Sequence, residues 1–187
     1  MRLPLLFLFF SLFSYAQDPC DWSVNISDSI GSYKNTKDYL MYERNFAGNS
    51  NYLYFSLALT DNLPTLNVQF INKSKGFLPA KCLDKKSRIY LQLANNKIIT
   101  LMHVEQDDCG TSVRTEDGNI NRIMNGYFLF MKDSFEELKK SPVTLMRIKF
   151  ADETVDYILK ENLVSEIDGK SYQPEKYFMN TLRCIED

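Results

Sequence analysis

The chain has little histidine, little glycine and no strong excess of charge. A single histidine, His103, stands among 187 residues. Any Ser-His-Asp triad would have to use it, and no serine lies in a G-x-S-x-G elbow. There is no Cys-x-x-Cys pair, so a zinc site would be short of ligands. Seven glycines include no phosphate-cradling loop. Lys and Arg total 22 against 24 Asp and Glu, a net charge of −2. That mild balance argues against nucleic acid and anionic membranes as partners. No second long apolar run follows the first, so no membrane insertion is expected once a leader is removed. The 44% hydrophobic content, with 13 Phe and 11 Tyr, excludes disorder.

What is present begins at the first residues. Arg2 is followed by an apolar stretch from Leu3 to Phe13, broken only by Pro4 and Ser11. That is the length of a signal-peptide core and too short to span a bilayer. Ser14 and Ala16 are the small residues of a cleavage site. The sequence therefore predicts a signal peptide over 1–16 and one mature domain over 17–187, exported to the periplasm or the cell exterior.

Four cysteines remain in the mature chain, and an even set in an exported protein predicts two disulfides. In "RIYLQLANNKIITLMHVEQ", Asn95-Asn96 read as a two-residue turn sets Ile89 against Met102, Leu91 against Thr100 and Leu93 against Ile98. The same register sets Lys86 against Glu105 and Cys82 against Cys109. Elimination leaves Cys20 with Cys184.

Strand patterns dominate the rest. "NYLYFSLAL" alternates, with Leu53, Phe55, Leu57 and Leu59 on one face. "KDYLMYERNF" reads as its hairpin partner across "AGNS", and "TLNVQFIN" alternates again. Residues 112–126 read as a long polar loop, and "YFLFMK" as a strand covered on both faces. "DSFEELKKS" predicts a short helix with a Ser134–Glu137 capping box. "VTLMRIKFADETVDYILKE" predicts a hairpin turning at Asp152-Glu153, with Ile148 against Tyr157 and Lys149 against Asp156. "QPEKYFMNTLRCIED" predicts a C-terminal helix with an apolar stripe of Phe178, Leu182 and Ile185. The expected fold is α+β, mainly β. It has about eight mostly antiparallel strands, in a sandwich or a partly closed barrel, with a short internal helix and a C-terminal helix.

His103 reads as a surface side chain opposite Arg88. Adjacent acids at Glu136-Glu137 and Asp107-Asp108 read as solvated. Neither catalytic residues nor a metal or organic cofactor are expected. Tyr42, Tyr52, Tyr54 and Tyr90 read as sharing one solvent-facing side of the sheet, a contact surface for protein or sugar. The functional expectation is a non-catalytic exported protein that binds another macromolecule, a protein or a glycan. A glycan hydrolase with paired carboxylates and a carbohydrate-binding module with a tyrosine face are the alternatives.

The pattern Cys20-x4-Asn25-x2-Asp28-x2-Gly31-x4-Thr36, the "MKDSFEELKKSPVTLMRIKF" segment and a cysteine near the C-terminus resemble small exported proteins of unknown function from Gram-negative bacteria. The resemblance implies bacterial export and an α+β build, and no activity.

Overall fold

A computed structural model describes residues 20–104 and 106–186. The expected signal peptide, its cleavage site and Glu105, the expected partner of Lys86, lie outside the described residues. The fold is mainly antiparallel β. Among the described residues thirteen strands form, eleven of them in one sheet, so the expectation of about eight is too low.

The strands are β1 (Trp22–Ser27), β2 (Ser32–Thr36), β3 (Tyr39–Phe46), β4 (Asn49–Thr60), β5 (Leu63–Ser74), β6 (Arg88–Leu93), β7 (Ile98–His103), β8 (Thr111–Arg114), β9 (Ile120–Phe130), β10 (Val143–Lys149) and β11 (Thr154–Ile158), with a separate pair β12 (Leu163–Val164) and β13 (Ser171–Tyr172). The order across the sheet is β1-β2-β4-β5-β9-β7-β6-β10-β11. β4 and β5 are each 12 residues long; β5 alternates through buried Leu66, Val68 and Phe70, whereas β4 is buried on both faces from Phe55 to Leu59. Two tight turns hold them and β3 in register. Ala47-Gly48 and Asp61-Asn62 all have positive φ, as the primed hairpin turns require.

Two long strands share an edge between shorter ones. β4 pairs with β3 along its first half and with β2 at its end. At the junction the Leu57 N–H donates to the Thr36 hydroxyl at 2.9 Å, so the backbone donor is not stranded. β9 pairs with β8 at its start and β7 at its end. The sheet curls around a core that includes Leu53, Phe55, Leu66, Phe70, Phe128 and Phe150. At the curl's open end Tyr42 of β3 meets Tyr157 of β11 edge to face, with ring centroids 5.1 Å apart.

Residues 112–126, expected as a loop, instead form β8, a tight turn and the first half of β9. Asp117 organises that turn through Thr115 and Asn119, and β5 supplies backbone partners along most of β9. The polar sequence reflects partial exposure of a paired strand. β9 is central in the sheet, yet Tyr127 is 43% exposed, so only one of its faces is covered there.

The β6–β7 register differs from the expected one by one residue. Arg88 faces Met102, Ile89 faces Leu101 and Leu91 faces Ile99. The turn is a three-residue loop, because Leu93 N–H donates to the Lys97 carbonyl at 2.8 Å and Asn96 carries the positive φ. A one-residue slip flips a strand. Ile98 is therefore 64% exposed and His103 is 6% exposed. The structure holds Cys82–Cys109 and Cys20–Cys184 disulfides. Beside the first, Leu83 and Asp108 form an isolated bridge one step out of phase with the β6–β7 ladder.

The β10–β11 register differs by two. Met146 faces Tyr157 and Ile148 faces Val155, with Ala151-Asp152 as the turn. A two-residue slip keeps every face, but the outward charge pair becomes Arg147–Asp156 instead of Lys149–Asp156. α1 (Ser134–Leu138) forms without the expected capping box. Its N-cap is Asp133 in the left-handed region, Ser134 is buried, and Glu137 pairs with Lys97 at 2.7 Å. The C-terminal helix is broken into a 3₁₀ turn at Pro174–Lys176, α2 (Tyr177–Thr181) and a second 3₁₀ turn at Leu182–Ile185. Phe178, Leu182 and Ile185 are nonetheless buried in the core, with the Cys20–Cys184 bridge beside them.

Candidate functional site

The four tyrosines do not form one face. A bulge in β3 between Leu40 and Tyr42 turns Tyr42 inward, opposite Leu53. Tyr42 lines a cleft at the open end of the curl, whereas Tyr52, paired with Glu43 and Ile71, keeps the outer face with Tyr54 and donates its hydroxyl to Asn45 Oδ1 at 3.1 Å. Tyr54 lines a groove on the outer face, and Tyr90 lies in a third hollow with Ile98 and Leu145.

The outer groove has a volume of about 220 Å³. Strand pairing puts Tyr54 beside Gln69 and Gln69 beside Asn125. In the next row Ser56 stands beside Asn67 and Asn67 beside Tyr127. Tyr33 and Asn35 of β2 close one side. The amides hold each other: Gln69 Nε2 donates to Asn125 Oδ1 at 3.2 Å, and Asn67 Nδ2 donates to Asn35 Oδ1 at 3.1 Å. Asn67 Oδ1 is buried and finds no donor among the described residues. Burial raises the Tyr54 hydroxyl pKa above its ordinary value, and the charge of Glu43 adds to this. The hydroxyl is thus a proton donor throughout the physiological range. Among the described residues, the groove's one carboxylate is Asp38.

The inner cleft has a volume of about 210 Å³. Register builds it in two rows across β3, β4, β5 and β9. The outer row is Arg44–Asn51–Asn72–Arg122. The row beneath it is Tyr42–Leu53–Phe70–Met124, which belongs to the core. Val155 and Tyr157 of β11 form the opposite wall, and Lys81 and Asp156 stand at the rim. Arg122 is fixed from outside the sheet. Its Nη1 donates to the Cys109 carbonyl at 3.0 Å and its Nη2 to the Leu78 carbonyl at 3.4 Å. Gly126 permits the Leu83 strap to pack on β9, since a Cβ there would stand 2.5 Å from Leu83 Cδ1.

His103 is inside the fold, against the Phe128 ring at 5.1 Å. Its Nδ1–H donates to the Asp84 carbonyl at 3.0 Å, and a carbonyl can only accept, which sets the tautomer. Burial lowers its pKa, opposed by the Asp84 hydrogen bond and the charges of Asp84, Asp108 and Asp107. The surface position opposite Arg88 is corrected by the β7 register, which turns His103 inward.

Among the described residues no three His, Cys, Asp or Glu side chains converge to hold a metal. No described helix is long and apolar enough to cross a membrane. The two disulfides suit a non-cytoplasmic compartment. No known family, curated protein or solved structure matches the chain.

Proposed function

We propose that this is an exported, non-catalytic protein of the periplasm or cell exterior that binds another macromolecule, and that the partner is a neutral glycan lying on the outer groove. The observation that carries this reading is the tyrosine–amide surface spread over β4, β5 and β9, with Asn67 Oδ1 buried and lacking a donor. Tyrosines give sugar rings rigid, amphipathic contact area, and the amides around Asn67 offer hydrogen-bonding partners to sugar hydroxyls. A near-neutral surface suits an uncharged polymer better than an acidic or basic one. Hydrolysis has less support, because a two-carboxylate mechanism needs paired acids roughly 5–10 Å apart and the groove carries Asp38 alone.

The test is affinity electrophoresis of the mature protein through gels containing neutral polysaccharides such as glucan, mannan or xylan. At least one should retard the protein, and Tyr54→Ala should relieve the retardation while leaving the melting temperature unchanged. If none retards it, or if retardation persists in a Tyr54→Ala, Gln69→Ala variant, the groove does not bind glycan.

A further inference from the structure

We propose that the inner cleft is a second binding site, for a small carboxylate carried on a short apolar body. It is independent of the outer groove, which lies on the opposite face of the same strands. Three cations, Arg44, Lys81 and Arg122, line the cleft with one carboxylate, Asp156. Asp156 is already committed: Arg147 Nε and Nη2 donate to its two oxygens at 2.6 and 2.7 Å. Lys81 is paired with Glu153 at 2.8 Å. That leaves two guanidinium groups without a carboxylate among the described residues. Arg44 lies near the Phe46 ring. Arg122 is held by two neutral carbonyls, and its Nε is buried with no acceptor. Carbonyls orient a guanidinium without cancelling its charge, so Arg122 is a pre-placed anion anchor with an unsatisfied N–H.

The rest of the cleft says what the anion carries. Between the two arginines, Asn51 and Asn72 add neutral hydrogen-bonding groups in the same row. Immediately beneath lie Leu53, Phe70 and Met124, with Tyr42 and Tyr157 as aromatic walls. An inorganic anion would leave this apolar floor uncovered, whereas a ring or short chain would cover it. The volume of about 210 Å³ is below the roughly 300–1,000 Å³ of drug-sized sites, which limits the occupant to one ring or a short chain. Arg122 binds the carboxylate directly. Arg44, at the other end of the row, strengthens the positive field at the mouth.

The experiment is a ¹⁵N–¹H NMR titration of the mature protein with benzoate, hexanoate, benzamide and inorganic phosphate. Benzoate or hexanoate should shift the Arg122 Nε–H resonance and the backbone amides of Asn51 and Asn72. Benzamide, the neutral isostere of benzoate, and phosphate, which lacks the apolar body, should each bind at least tenfold more weakly. Arg122→Gln should abolish binding but also releases the Cys109 and Leu78 carbonyls. Arg44→Gln is therefore the second variant: it should weaken benzoate binding several-fold with an unchanged melting temperature. Equal affinities for benzoate and benzamide, phosphate binding as tight as benzoate, shifts confined to the outer groove, or no response to either carboxylate would each overturn the proposal.

Discussion

The two faces of β4, β5 and β9 carry the same kind of residue to different ends. On the concave side Asn51 and Asn72 stand between two arginines, beside an apolar row and under the wall of β11. On the outer side Gln69 and Asn125 stand beside Tyr54, and Asn67 beside Tyr127, open to water. The difference shows that an amide row has no chemistry of its own. Enclosure and neighbours decide. In the partly enclosed cleft, weaker screening strengthens the field of an uncompensated guanidinium. On the open face, neutral amides and phenols match hydroxyl groups that compete with water. Successive residues of one strand serve opposite faces, so each site can change while the other keeps its register.

The largest disturbance should strike both faces together. Replacing Cys20 and Cys184 by Ser opens a bridge spanning 164 positions and should cost about 5 kcal/mol in the loop-entropy treatment. It also frees Phe178 and Leu182, which pack on the concave side that supports both sites. Guanidinium unfolding measures the loss. A double variant as stable as the parent would show that the C-terminal cover holds without its staple. A sharper division comes from neighbours in the chain. Phe70→Ala, at a 5% exposed position, should cost about 3–5 kcal/mol. Gln69→Ala, one residue earlier and facing out, should stay within about 0.5 kcal/mol. Similar losses at both positions would contradict the assignment of faces. The Cys82–Cys109 bridge closes a separation of 27, so its removal should cost about 3 kcal/mol. Because the Cys109 carbonyl holds Arg122, hydrogen exchange should quicken on the concave side before the outer groove responds.

The outer groove was partly legible in the sequence and the cleft was not. The apolar residues of "NYLYFSLAL" alternate, so pattern alone places Tyr54 on the outer face. Nothing in "YLMYERNF" marks the bulge that turns Tyr42 inward. Arg122 was out of reach, because its segment reads as a loop and becomes a strand only by pairing with β5 and β8. The β6–β7 slip has a similar cause. Asn95 and Asn96 suit a two-residue or a three-residue loop equally well. β7 is apolar on both faces, with Ile98, Ile99, Leu101 and Met102, so hydrophobicity does not choose between registers. In the β10–β11 hairpin the shift was two residues, so every face survived although the partners changed.

His103 gives the next smaller effect, and it belongs to the concave side. As a buried side chain donating to the Asp84 carbonyl, its replacement by Ala should cost about 1–3 kcal/mol, since that acceptor loses its partner. A surface histidine would cost almost nothing, so urea unfolding of this variant separates the two placements.

The smallest expected effect is the pH dependence of the same residue. The folded-state pKa of His103 is lowered, with burial as the largest cause, while the unfolded chain titrates near about 6.5. As pH falls through that value, the unfolded state takes up a proton that the folded state resists. Stability conferred by neutral His103 is therefore full above about pH 6.5 and declines below it, until the folded pKa is reached. His103→Gln removes the titration and retains a side-chain amide. The stability difference between parent and variant should thus narrow between pH 7.5 and pH 5.5, as roughly bracketed by the histidine range. Over the same interval the amides and tyrosines of the outer groove do not change charge, so glycan retardation should stay level while unfolding shifts. A stability difference that is flat with pH would mean that His103 is as accessible to protons as a surface residue. Retardation that tracks the histidine would mean that the imidazole acts on the groove directly, since His103 shares a hollow with Asn125 and Tyr127, which both line it.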